Sequence, residues 1–274
     1  MDQAIPAKPA KVVVFDSGLG GLTVLREIAR ARSDIDLSLV ADDAAFPYAR
    51  IDDRTLTERV VLVLDRFIKA LEPSLVVIAC NTASTLALPA LRARFSIPFV
   101  GTVPAVKPAC AQSRTKRISV LATSATVRRD YTRELIREFA SQCHVTLVGS
   151  EKLAEYAESV LRGEAVGDDL IRDEVAKCFV DEGGRTDAVV LACTHYPLIL
   201  DRLERVASWP VSWLDPAPAI ARRASQLLGP QRPAKAGPGR AYFTSGRRVS
   251  PSLARALADF GIVSVEEEPI RVPV

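Results

Sequence analysis

Short apolar runs alternate with stretches of helical spacing almost from one end of the chain to the other. The runs KVVVF, DLSLVA, SLVVIA, PFVG, RISVLA, VTLVG, DAVVLA, VSWLD, AYFTS and IVSVE read as strands. Several are nearly continuous Val, Ile and Leu, the pattern of parallel strands buried on both faces. Between them, Leu56, Val60, Leu64, Phe67 and Leu71 share one helical face, as do Val127, Tyr131, Leu135 and Phe139. Ser250 before Pro251 reads as an N-cap followed by a first helical residue. Pro89 inside STLALPALRARF predicts a short helix, a kink or a restart, because proline removes a helical hydrogen bond. The alternation predicts a doubly wound α/β architecture.

An internal echo refines this. LVVIACNTAS (75–84) and AVVLACTHYP (188–197) each run from an apolar strand through Ala-Cys into small polar residues that open a helix. VVVFDSG and ISVLATS begin the two halves in a similar way. Two related α/β halves are expected, each with a cysteine at the carboxyl end of a strand, where open α/β sheets build their sites. The Pro/Gly-rich GPQRPAKAGPGR reads as a surface loop.

Composition narrows the function classes. The 274 residues are 48% hydrophobic and 25% charged, as in an ordinary globular protein. A net charge of +3, with basic and acidic residues interleaved, predicts no nucleic-acid partner. No apolar run is long enough to span a membrane, and MDQAIPAKPAK lacks the apolar region of a secretory signal. Five cysteines without a Cys-x-x-Cys pair, and only two histidines, argue against a disulfide framework or a metal site and for a reducing cytoplasm. Cys110, Cys143 and Cys178 read as small core residues, Cys178 on the face of Ile171 and Val175.

Cys80 and Cys193 are different because their setting repeats. Each precedes residues able to cap a helix (Asn81 and Thr82; Thr194), and a helix N-terminus favours the thiolate. If the halves close on one molecule, one thiolate can take a proton from a carbon while the opposing thiol gives one to the other face. That needs one sulfur ionised and one protonated, so their titrations are coupled, with Asp16 or His195 setting which is which. Hydroxyl and amide groups at Ser17, Asn81, Thr82, Thr123 and Thr194 suit a carboxylate whose charge grows as the carbanion forms.

Taken together, FDSGLGGLTVLREI, DDAAFPYA, ACNTAS, LATSATV, ACTHYPLI and the late FTSG resemble the glutamate racemase family, in order and over nearly the whole chain. The resemblance implies a cofactor-independent enzyme that supplies D-glutamate for peptidoglycan and tends to dimerise. It implies two α/β domains of similar topology, the second (104–211) inserted into the first (1–103 plus 212–274), with the active site between them. Cys80 and Cys193 match the catalytic thiols, Cys80 acting on D-glutamate and Cys193 on L-glutamate, with Asp16 and His195 as auxiliary groups. Ser17, Asn81, Thr82, Thr123 and Thr194 match positions holding the substrate's ammonium and α-carboxylate. The loop at Pro47, Tyr48 and Ala49 matches the one whose backbone receives the side-chain carboxylate.

Two positions depart from the family pattern. Ala49 stands where a glycine is usual, and its Cβ limits positive φ. GSEKLAEYAE places Glu158 at the family's active-site glutamate without the preceding Cys-Pro; read alone, Glu158 shares a solvated acidic face with Glu151 and Glu155. Other readings fare less well. A racemase of the same superfamily acting on aspartate or a hydantoin would be decided at the PYA loop. A cysteine hydrolase built on Cys193 and His195 leaves Cys80 unexplained, and a two-lobed binding protein has no need of paired thiols. In DSGLGG the spacing fails the dinucleotide fingerprint and Asp16 would repel phosphate, so its glycines are expected to let the chain turn tightly and the next helix approach the strand. The short segment before Lys11 predicts no dependence on a peptidoglycan precursor.

Overall fold

The computed structural model describes residues 8–270. The N-terminal segment read for a secretory signal lies mostly outside them. The chain runs β1 (Ala10–Asp16), α1 (Gly21–Ala31), β2 (Ile35–Ala41), α2 (Asp53–Leu71), β3 (Leu75–Ile78), α3 (Asn81–Arg94) and β4 (Phe99–Gly101). It continues through α4 (Val106–Gln112), β5 (Arg117–Thr123), α5 (Ser124–Arg128), α6 (Asp130–Phe139), β6 (His144–Ser150), α7 (Leu153–Leu161) and α8 (Asp168–Val175). The last elements are β7 (Ala188–Leu191), α9 (Leu200–Val206), β8 (Ser212–Leu214), α10 (Ala217–Leu228), β9 (Gly239–Phe243), α11 (Pro251–Asp259) and β10 (Ile262–Glu267). All ten strands fall on the ten apolar runs.

Two parallel sheets result, ordered β10-β9-β2-β1-β3-β4 and β6-β5-β7-β8. The segment β2-β1-β3-β4 of the first repeats as β6-β5-β7-β8 in the second, so the echo in sequence is a repeat in topology. Cys80 and Cys193 follow equivalent strands. The expected division at 211/212 places β8 in the first half, but β8 pairs with β7 and completes the second sheet.

The continuous apolar runs are explained by two-sided burial. Along β1, Val12 and Val14 face a core with α1, α10 and α11, while Val13 and Phe15 face one with α2 and α3. β5 and β7 divide their side chains likewise between two further clusters, one with α7, α8 and α9 and one with α4 and α6. Ser250 accepts a hydrogen bond from the Leu253 N–H at 3.2 Å and caps α11, with Pro251 opening the helix. Cys178 is buried beside Ile171 and Val175.

Three expectations are corrected. Helix α3 runs through Pro89 without a break. The face from Val127 to Phe139 spans two helices, separated at extended Arg129, where the Thr132 hydroxyl donates to the Thr126 carbonyl at 2.7 Å. Tyr131 on that face is exposed. Finally, Cys110 and Cys143 form a disulfide between α4 and the approach to β6, their Cα atoms 6.1 Å apart. Their separation of 33 residues hid a proximity that only the packing of α4 beside the second sheet creates. Among the described residues no helix is long and apolar enough to cross a membrane, and no three His, Cys, Asp or Glu side chains cluster as metal ligands.

The C-terminal segment is tied back to the first sheet by a buried ion pair. Arg32, after α1, forks onto Asp34 with both contacts at 2.7–2.8 Å, and donates to the Gly229 carbonyl at 2.9 Å beyond α10. Asp34 also accepts from the Arg232 N–H at 2.8 Å. Asp34→Ala leaves the buried Arg32 charge without its partner. It is expected to cost about 3 kcal/mol in urea unfolding, near the low end for breaking a buried pair.

Candidate active site

The site lies where the carboxyl ends of β1, β3, β5 and β7 meet. β1 ends in Asp16, which is fully buried. Its Oδ1 accepts the Gly18 N–H at 3.1 Å and its Oδ2 the Thr194 hydroxyl at 2.9 Å. Burial raises the Asp16 pKa; the His195 charge and the bonds from Thr194 and Gly18 pull the other way without cancelling it.

β3 delivers Cys80 to the N-cap of α3, its sulfur 3.7 Å from the Ser17 hydroxyl. The helix start does not produce a thiolate there. Burial, and next the Asp16 charge, push the Cys80 thiol up to about 12, more than the Ala83 N–H and Ser17 hydroxyl lower it. Cys193 follows β7 in equivalent fashion, but a 3-10 turn at Tyr196–Ile199, not an α-helix, comes next. The Cys193 sulfur lies 3.8 Å from His195 Nδ1.

His195 is buried, and burial alone would lower its pKa. Hydrogen bonds to Cys193 and Glu158, and then the Asp16 charge, outweigh this and raise the imidazole well above its usual range. Its Nε2 lies 3.1 Å from Glu158 Oε1, an atom that also accepts the Leu19 N–H at 2.7 Å. Arg162 donates to Glu158 Oε2 at 3.0 Å. Burial works to raise the Glu158 carboxyl, yet these partners hold it below the usual value. The imidazole and the carboxyl thus shift in opposite directions as a pair beside Cys193, and His195 Nε2 also receives the Gly20 N–H at 3.3 Å.

The reading of Glu158 as a solvated residue is therefore corrected: it is buried, while Glu151 and Glu155 on the expected acidic face remain more open to solvent. The start of its helix is fixed by Glu174, which accepts the Ser150 hydroxyl at 2.6 Å and the Glu151 N–H at 3.0 Å.

The glycines of DSGLGG serve this junction. None of Gly18, Gly20 or Gly21 has positive φ, so the turn itself does not demand them. A Cβ on Gly18 would lie 2.0 Å from Glu158 Oε1, and one on Gly20 would lie 2.3 Å from Thr194 Oγ1. Gly21 does match the expected helix–strand approach, since a Cβ there meets Leu39 and Asp16 at 2.8 and 2.9 Å.

One cavity is lined by Cys80, Cys193, Ser17, Asn81, Thr82, Thr123, Thr194 and His195, with Pro47, Tyr48 and Ala49 along another wall. Asp16 and Glu158 stand behind that lining, against Thr194 and His195. The Asn81 side chain is buried with both its amide nitrogen and its oxygen unpaired, poised toward a ligand. Ala49 lies in a 3-10 turn at Tyr48–Arg50 and does not take positive φ, so its Cβ leaves the loop unstrained. Sequence reasoning missed Phe46, whose ring lies 5.2 Å from that of His195, and Thr126, bonded to Thr123 at 3.0 Å. It also missed Arg162, although the Glu158-to-Arg162 spacing of an i,i+4 pair was legible.

Such a site, with a cysteine on each half of a duplicated α/β fold, suits an isomerase. The pattern defining the Asp/Glu/Hydantoin racemase family matches residues 15–224, and the chain belongs to that family. Within it, the chain is 53% identical to the glutamate racemase of Brucella anthropi over 233 residues, 84% of each chain. It is 48% identical to that of Brucella ovis over 273 residues, 94% of this chain and 97% of the other. Among solved structures, Escherichia coli glutamate racemase in complex with L-glutamate and the activator UDP-MurNAc-Ala superposes with a TM-score of 0.89. That match has 36% identity and covers 96% of this chain and 100% of that one. A Bacillus anthracis glutamate racemase isoform gives 0.82 at 25% identity, covering 98% and 100%.

Gly20→Ala is expected to push Thr194 and His195 off their positions and lower turnover about 100-fold, the effect of a ~1 Å misplacement. Steady-state kinetics check this, with circular dichroism showing an intact α/β fold.

Proposed function

We propose that the chain interconverts L- and D-glutamate, supplying D-glutamate for peptidoglycan, by proton transfer between two cysteines and without a cofactor. The observation that carries this reading is the pair of thiols at equivalent strand ends, lining one cavity from opposite halves. The relatives' activity is the second support.

In the L-to-D direction Cys193, as the thiolate, takes the α-proton, with His195 Nδ1 beside it at 3.8 Å to hydrogen-bond the sulfur. Cys80, held as a thiol by burial and the Asp16 charge, gives its proton to the opposite face. The reverse direction begins with Cys80 as the base. The bond that breaks is Cα–H on one face, and the bond that forms is Cα–H on the other. Each turnover leaves the protons on the two sulfurs exchanged, to be reset through solvent or the opposite reaction.

Asn81, Thr82, Thr123, Ser17 and Thr194 hold the ammonium and α-carboxylate. Hydrogen bonds to the α-carboxylate strengthen as the carbanion pushes charge onto it. Asp16 acts through Thr194 and the charge it sets at Cys80. Glu158 acts through His195. The Tyr48 and Ala49 N–H groups open a 3-10 turn, where first-turn donors lack intrahelical partners, and receive the side-chain carboxylate.

Two ion pairs bridge the halves at the rim: Arg129–Asp53 at 2.9 Å, and Arg50–Glu155. A pair as exposed as Arg50–Glu155 contributes about 0–1 kcal/mol, so parting it to admit substrate is inexpensive. The reading carries a cytoplasmic location and a homodimer, as the family resemblance implies.

Proton NMR in deuterium oxide tests the function. Either glutamate enantiomer alone is expected to lose its α-proton signal and reach the racemic mixture with no added cofactor, while aspartate stays unchanged over the same period. Aspartate exchange without glutamate exchange would move the assignment to another member of the superfamily. No exchange on either substrate would overturn it.

A further inference from the structure

Behind the wall formed by Phe46 to Ala49 lies a charge pair that the proton transfers above do not use. Asp42 directly follows β2 and is fully buried; α2 carries the Arg59 side chain to it, 1% exposed. Arg59 forks onto the carboxylate, Nε to Oδ2 and Nη2 to Oδ1, both at 2.7 Å. The Tyr48 hydroxyl donates to Oδ2 at 2.5 Å and the Thr244 hydroxyl to Oδ1 at 2.6 Å. One carboxylate therefore gathers four donor atoms from α2, the pocket loop and the residue after β9. The Asp42 N–H closes the arrangement by donating to the Asp16 carbonyl at 2.9 Å, which fixes it to the strand end that carries the site.

The chemistry of this arrangement favours positioning over stability. A buried ion pair recovers little of its desolvation cost compared with apolar residues of the same size, whereas its geometry is sharply defined. Tyr48 cannot slide without leaving a lone pair of a buried carboxylate unmet. Its own backbone and that of Ala49 lie on the pocket wall. The hydroxyl is thus a tether from the back of the loop to a fixed point, and the tether sets how far the loop stands from the two sulfurs. Glutamate and aspartate differ by one methylene, a difference that a well-fixed pocket turns into about 10- to 200-fold discrimination and a loose one does not.

We propose that the Asp42–Arg59 pair, acting through the Tyr48 hydroxyl, is a positioning device that sets the length of the pocket and so selects glutamate over shorter dicarboxylates. This rests on the reading that the Pro47–Ala49 segment receives the side-chain carboxylate. Asp42, Arg59 and Tyr48 touch no reacting atom through these side chains; their effect is on where the substrate's far end is held.

Two variants of the full chain test it. Tyr48→Phe removes one oxygen and keeps the ring, and Arg59→Lys keeps the charge and loses the fork. For both, glutamate KM is expected to rise about tenfold with kcat within about threefold, the signature of altered substrate holding and not of altered chemistry. Aspartate, measured as a competitive inhibitor, is expected to bind as well as before or better. The ratio of its Ki to the glutamate KM then falls tenfold or more. Unchanged KM and unchanged ratio in Tyr48→Phe overturn the proposal. So does a proportional loss for both ligands together with a lowered melting temperature, which marks a merely structural role. If Arg59→Lys does not fold, Tyr48→Phe alone decides. A wild-type chain that exchanges no glutamate α-proton overturns the underlying reading instead, a result separate from the behaviour of the variants.

Discussion

The close approach of the Asp16–Gly20 turn to Thr194, His195 and Glu158 is the contact on which the rest of the molecule depends. Two sheets of the same topology each present a strand end, and a site exists only if those ends meet. Side chains on Gly18 or Gly20 would occupy the positions of Glu158 Oε1 and Thr194 Oγ1. Small residues on one half let polar groups of the other enter. Once inside, those groups are satisfied there: the Leu19 N–H by Glu158, the Thr194 hydroxyl by Asp16. Much of that buried polarity is paired, although the Asn81 amide in the cavity lining and the Tyr196 hydroxyl have no hydrogen-bond partner.

The same contact surrounds the two thiols with unlike groups. Cys80 lies near Asp16 in a dry environment that favours the neutral sulfur. Cys193 lies beside a histidine whose pKa is raised by its hydrogen bonds to Cys193 and then Glu158, while His195, ahead of the Leu19 N–H and Arg162, holds the Glu158 carboxyl down. A pseudo-symmetric fold thus presents the two sulfurs from opposite halves, and an asymmetric set of charges surrounds them. Neither alone suffices for inversion at a carbon centre, which needs a base on one face and an acid on the other.

Much of this was legible in the sequence, and the exceptions have physical causes. The ten strands were readable because two-sided burial leaves long apolar runs, and the duplicated Ala-Cys ends pointed to the site. Glu158 was matched to the family's glutamate, but helix periodicity also placed it with Glu151 and Glu155; only the docking of α7 against the glycine turn decides that it is buried. Gly21 admits the helix–strand approach that was expected of it, but Gly18 and Gly20 accommodate the opposite half where tight turning was expected. Pro89 continues its helix, a matter of tertiary packing overriding a local preference. The Cys110–Cys143 disulfide and the Asp42–Arg59 pair join residues distant in sequence, and no local pattern marks either. Arg162 is different, since its spacing from Glu158 was there to be read.

The central claim is that one α-carbon is served from two sides by two separate sulfurs. One-sided exchange tests it most directly, with Cys80→Ala and Cys193→Ala followed in deuterium oxide. Neither variant is expected to racemise. Cys80→Ala should exchange the α-proton of L-glutamate alone, through Cys193, and Cys193→Ala that of D-glutamate alone, through Cys80. Racemisation by either variant, or exchange of the same enantiomer by both, would contradict the account.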